Sequence, residues 1–122
     1  MIEIDGATGE GGGQILRTAL SLAVARQQPV RVIRVRANRK PPGLRAQHLT
    51  SIHAAQLISG AEVVGATPGS TSLEFTPGAV RAGEYPLSVG TAGSTSLVLQ
   101  TVALPLALAG GSSRVTVTGG TH

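Results

Sequence analysis

An α+β fold, built from a repeated strand-helix-strand-helix-strand-strand unit, is what this 122-residue chain predicts. Three observations lead there. Short β-branched stretches alternate with longer apolar stretches of helical spacing. Glycine or proline marks almost every junction between them. The opening pattern then starts again near residue 84, which makes the architecture a repeated βαβαββ unit.

The chain opens on a short strand, 1–5, followed by a glycine-rich turn, 6–13. A helix over 14–26 comes next, with Ile15, Leu16, Ala19, Leu20, Leu22 and Ala23 on a broad apolar face and Pro29 beyond its end. Residues 30–37 read as a strand, placing Arg34 and Arg36 on one face and Ile33, Val35 and Ala37 on the other. Pro41, Pro42 and Gly43 break the chain. A second helix, 44–59, ends at Gly60, the position of a left-handed cap. Three short strands follow: 61–66, then 72–76 with Leu73 and Phe75 inward, then 84–89 alternating through Tyr85, Leu87 and Val89. The third helix, 94–109, is apolar almost all round and is expected to be the most buried element, kinked at Pro105. A strand over 114–118 comes last.

The repeat shows in the turns. Gly6-Ala7-Thr8-Gly9 recurs as Gly90-Thr91-Ala92-Gly93, and at the same offset Ala19-Leu20 and Leu22-Ala23 recur as Ala103-Leu104 and Leu106-Ala107. The division this implies is one complete unit over 1–83 and the strand-helix-strand first half of a second over 84–122. On that reading the chain is a fragment. Its last helix and strand lack neighbours, and self-association is the expected consequence.

Composition narrows the function. Phe75 and Tyr85 are the only aromatic residues, too few for a base-stacking platform. Cysteine is absent, which excludes disulfides, thiolate metal sites and a cysteine nucleophile. The acidic start, Glu3 and Asp5, does not resemble a signal peptide, and the most apolar run, 97–109, is too short for a bilayer. A soluble, cytoplasmic protein is expected. The net charge is +4, and six of the ten basic residues, five arginines and Lys40, lie between Arg31 and Arg45 with no acid among them. Such a cluster suits an anionic partner, because the arginine fork donates two parallel bonds to phosphate oxygens. A charged, solvated strand edge is the alternative.

The turn Gly9-Glu10-Gly11-Gly12-Gly13-Gln14 opens a helix, where free N–H groups and the dipole favour anions. It is neither a Walker loop nor Gly-x-Gly-x-x-Gly. Glu10 would repel a phosphate unless a divalent ion such as Mg²⁺ or Mn²⁺ stood between them; otherwise it simply favours the helix start. Arg17, one turn on, can point at whatever the glycines hold. Arg36, Arg39 and Arg45, with Gln47 and His48, follow on the strand end, the loop and the next helix start. His48 and His53 do not share a helix face as metal ligands would, and His53 reads as a partly buried helix residue. Gln100 interrupts the apolar third helix, so its amide either bonds nearby backbone or reaches a ligand at the second glycine turn.

Several of these segments, taken together, resemble the RNA 3'-terminal phosphate cyclase family. They are Gly9-Glu10-Gly11-Gly12-Gly13-Gln14-Ile15-Leu16-Arg17, Arg36-Ala37-Asn38-Arg39, Pro42-Gly43-Leu44-Arg45-Ala46-Gln47-His48-Leu49, Gly90-Thr91-Ala92-Gly93-Ser94, Leu97-Val98-Leu99-Gln100 and Gly119-Gly120-Thr121. The resemblance implies longer proteins built of repeated units, each two helices on a four-stranded sheet like the C-terminal domain of translation initiation factor three. It also implies an ATP-dependent conversion of an RNA 3'-phosphate to a 2',3'-cyclic phosphate. In that reaction a histidine takes AMP from ATP, the AMP passes to the RNA phosphate, and the adjacent 2'-hydroxyl displaces it. By resemblance Glu10 helps hold the divalent metal, Gln100 lies in the ATP site, and Arg17, Arg36, Arg39 and Gln47 line the phosphate-binding surface. The adenylated histidine of the family is C-terminal, and none of His48, His53 and His122 matches it, so no catalytic residue is assigned and this chain alone is expected to be inactive. A related cyclase-like, non-catalytic factor of ribosome maturation is the alternative. The more distantly similar enolpyruvyl transferases fit the motifs less well.

Overall fold

The computed structural model of the chain describes residues 1–8, 13–88 and 92–118, except for the side chains of 92–94. The elements run β1 (Ile2–Asp5), α1 (Gly13–Arg26), β2 (Val30–Ile33), α2 (Ala46–Ser59), β3 (Glu62–Val64), β4 (Leu73–Thr76), β5 (Glu84–Ser88), α3 (Ala92–Leu108) and β6 (Arg114–Thr118). The predicted α+β class is the observed one. β1, β2, β4 and β3 form a four-stranded sheet in that order, with β1 parallel to β2 and both β4 pairings antiparallel. β5 and β6 pair in parallel as a second sheet. Each parallel pair is joined through one helix, so β1-α1-β2 and β5-α3-β6 share a topology.

Alternation places the core. Leu73 and Phe75 of β4 and Val30 and Val32 of β2 face the helices and are buried. Leu16, Leu20 and Val24 of α1 and Ile52, Ala55 and Ile58 of α2 meet them. Each large aliphatic side chain so buried stabilises the fold by roughly 1.5–3 kcal/mol over leaving it exposed. On the open face of the sheet Arg31 pairs with Glu74 at 2.9 Å and Glu3 at 3.7 Å, so that face is a solvated ion network. Gly60, at φ 64°, closes α2 as expected, its N–H donating to the Gln56 carbonyl.

Three expectations need correction. The strand read over 30–37 stops at Ile33. Arg34 and Arg36 both take left-handed backbone, at φ 53° and 49°, and the chain turns there instead of continuing the ladder. Arg34 leaves the arginine cluster to pair with Asp5 at 3.1 Å. The third helix is not the most buried element either. α3 packs on α1 and α2 through Val98, Thr101, Val102 and Leu106, while Leu99, Leu104 and Leu108 are exposed. The sequence gives no period that separates the two sides, because both are apolar. Finally, α1 turns Leu22 outward and buries Ser21 and Val24. No helix among the described residues is long and apolar enough to cross a membrane.

Candidate functional site

The first turns of α1 and α2 meet. Gly13 opens α1, and the space a side chain there would fill is occupied: its Cβ would lie 2.6 Å from an Arg17 terminal nitrogen and 2.7 Å from His48 Nε2. Only glycine leaves room for both groups. His48 is the third residue of α2 and is 1 % exposed. Neither helix carries an acid in its first turn, so the positive ends of two dipoles come together without a compensating carboxylate among the described residues.

The loop between β2 and α2 supplies more positive charge. The Val35 N–H donates to Thr71 O at 2.9 Å, the Leu44 N–H to Ser70 O at 2.9 Å and the Gly69 N–H to Leu44 O at 2.8 Å, which pins the loop against the turn before β4. Gly43, at φ 84°, approaches the Gly69 carbonyl too closely for any side chain. Arg36 reaches back from its left-handed position and donates to the carbonyls of Gly43 at 2.7 Å and Pro41 at 3.4 Å. Burial, then Arg39 and Arg45, lower the Arg36 pKa, so three guanidinium groups stand close together. Burial alone lowers that of Arg17. His48 feels all of this: burial first, then Arg36, Arg17 and Arg45, bring its pKa down to about 4. Its Nδ1 accepts the Arg45 N–H at 2.9 Å.

The residues singled out from the sequence fall into three groups. Arg17, Arg36 and Arg45 lie near His48 at the two helix starts, and Arg39 lies near Arg36. Gln47 sits in the same first turn of α2 and is exposed. Gln100 is exposed rather than buried, and with Gln14, Arg17, Thr18, Ser21, Leu22 and Leu104 it lines a cleft of about 220 Å³ between α1 and α3. Arg17 thus belongs to both neighbourhoods. Glu10, Gly9, Gly11, Gly12, Val89, Gly90 and the segment 119–122 lie outside the described residues. His53 is exposed on α2, not partly buried. No group of three or more histidine or carboxylate side chains suited to a metal occurs among the described residues.

Sequence reasoning passed over one feature of the site. It placed His48 in the basic cluster without a role of its own. The signal was available in the spacing, since a side chain three residues after a helix cap can reach back to the cap N–H.

Comparison with known proteins gives this geometry a context. The sequence profile of the RNA 3'-terminal phosphate cyclase family matches residues 8–122. An RNA 3'-terminal phosphate cyclase of Archaeoglobus fulgidus is 57% identical over 121 residues, which is 99% of this chain and 37% of the relative. Proteins of the same name from Nostoc punctiforme and Salmonella typhimurium are each 57% identical across the whole of this chain, covering 37% and 36% of their own lengths. The chain spans little more than a third of the length of these relatives, and by that match it belongs to the RNA 3'-terminal phosphate cyclase family.

Proposed function

We propose that this chain forms the 3'-phosphate-binding part of an RNA 3'-terminal phosphate cyclase. The observation that carries the reading is the meeting of two helix N-termini, free of acids in their first turns, with Arg17, Arg36 and Arg45 around them and Arg39 near Arg36. A terminal phosphate monoester suits that environment. Each helix end favours an anion by about 0.3–1 kcal/mol. A charge-assisted hydrogen bond from arginine adds on the order of 1.5–3 kcal/mol. Arg36 is partly committed to the loop carbonyls, so its role is to shape the 41–43 segment as well as to supply charge.

The cleft that Arg17 shares with Gln100 supports a neighbouring place for ATP, whose phosphates would lie near Arg17 and whose polar edges an amide can read. ATP supplies the activating nucleotide of the reaction, and a divalent ion held with Glu10 would offset the charge of its phosphates. The described cleft offers amide, hydroxyl and guanidinium groups, which fits a polyphosphate ligand. Catalysis by this chain alone is not part of the reading. His48 is not assigned as nucleophile: its Nδ1 accepts the Arg45 N–H, which leaves the proton of the neutral ring on Nε2. The shared strand-helix-strand topology of the two halves supports a unit over 1–83 that begins again at 84.

Backbone amide mapping tests the location. Adding a short 3'-phosphorylated oligonucleotide should move resonances of Gly13, Arg17, Arg36, Arg45 and Gln47. Equal movement at Arg26, Arg31, Arg81 and Arg114 would show a diffuse basic surface instead.

A further inference from the structure

Two nitrogens at the meeting point of the helices stand without an acceptor. Among the described residues His48 Nε2 and Arg17 Nε are both buried and make no hydrogen bond, and Ser51 Oγ, one turn further along α2, is in the same state. The tautomer of His48 follows from its other nitrogen. Nδ1 accepts the Arg45 N–H at 2.9 Å and so carries no proton, which leaves the proton of the neutral ring on Nε2. That N–H is a donor, as is the Arg17 Nε–H. Both side chains pack against Gly13, Arg17 through a terminal guanidinium nitrogen and His48 through Nε2.

A buried donor left without an acceptor costs a fold about 1–3 kcal/mol. Two such donors, on side chains that both pack against Gly13, favour an acceptor supplied from outside. The ligand class follows from the surroundings. Three arginines and two helix starts favour an oxyanion, and a neutral imidazole adds a directed hydrogen bond without a further charge.

We propose that His48 is a phosphate-positioning residue, its Nε2–H and the Arg17 Nε–H donating to oxygens of a phosphate monoester held where the first turns of α1 and α2 meet. The inference rests on the phosphate-site reading above and gives it an orientation. Arginines draw the phosphate in from any direction, whereas a ring fixed by its own backbone bond accepts it in one. Both nitrogens are closed to solvent in the free chain, so binding opens the two helix ends slightly and part of the binding energy is spent there.

Two substitutions separate the two ends of the ring. In His48→Asn the amide oxygen takes the place of Nδ1 and still accepts the Arg45 N–H, but nothing reaches the position of Nε2. In His48→Gln the amide nitrogen reaches that position as a donor, and the bond to Arg45 is lost. With inorganic phosphate as probe, His48→Asn should keep the thermal midpoint of the parent chain and bind about tenfold more weakly. His48→Gln should melt lower yet bind within about threefold of the parent. Equal phosphate affinity in the parent and His48→Asn overturns the proposal, as does stronger loss in the Gln variant than in the Asn variant. Should His48→Asn fail to fold, the imidazole ¹⁵N spectrum of the parent decides. Phosphate must shift the His48 Nε2 resonance, and an unmoved signal at saturation overturns the inference. A 3'-phosphorylated and a 3'-hydroxyl oligonucleotide keep the two levels apart. A parent chain that prefers the phosphate, with His48→Asn preferring it equally, rejects the role of His48 alone. A parent chain that prefers neither rejects the phosphate site and this inference with it.

Discussion

At the scale of single residues, His48 holds the site's least obvious charge state. Burial and the nearby Arg36, Arg17 and Arg45 lower its pKa from the ordinary 6.5 to about 4. The sign of the consequence is fixed by proton uptake. Between those values the unfolded chain binds a proton at this ring and the folded chain does not, so stability is fully present above pH 6.5 and falls as the pH drops toward 4. The loss is at most about 3 kcal/mol. Urea denaturation at pH 7 and pH 4.5 should therefore show a larger drop for the parent chain than for His48→Asn, which has no imidazole to titrate. Parallel drops in the two proteins would mean that the ring is not held neutral. The arginine cluster was legible in the sequence, but not its division: Arg31 and Arg34 pair with carboxylates, while Arg36 and Arg45 lie near His48. The tautomer of His48 was not legible, since it depends on a backbone bond and a burial that only the packed helices create.

At the scale of elements, most boundaries followed from local chemistry, but the end of one strand and the burial of one helix did not. Alternation placed Leu73 and Phe75 inward, and both are fully buried. The β-branched composition over 30–37 misled, because it runs on through Val35 while the backbone leaves the sheet at Ile33. What ended the strand was tertiary: the Val35 N–H is taken by Thr71 O, and Arg36 turns to bond the 41–43 carbonyls. That early ending serves the site, since it brings Arg36 beside Arg39 and Arg45. α3 misled in the opposite way. Its apolar run promised burial on all sides, yet Leu99, Leu104 and Leu108 are exposed. An exposed leucine side beside a two-stranded sheet favours pairing between copies. Sedimentation should show a mass that rises with concentration in the micromolar range, and Leu104→Gln with Leu108→Gln should reduce it. A monomer at every concentration would contradict that expectation.

At the scale of the whole molecule, one strand-helix-strand motif serves two purposes. In its first occurrence it sets α1 against α2, so that Gly13 and His48 touch and the arginines of the intervening loop gather round them. In its second it lays α3 along α1, so that Gln100 faces Arg17 across a shared cleft. The strand-helix-strand order was legible in the sequence, but the convergence of helix starts needed the packed structure, because sequence spacing does not say which helix ends meet. The central claim is that this convergence is a site for a terminal phosphate, and a paired titration tests it most directly. Two oligonucleotides of one sequence, ending in a 3'-phosphate and a 3'-hydroxyl, are titrated at a single fixed salt concentration, since salt alone moves such affinities. The phosphate should bind about tenfold or more tightly. Arg39→Lys, which keeps the charge but loses the fork, should narrow that preference. Equal affinities for the two ligands, unchanged by Arg39→Lys, would contradict the account.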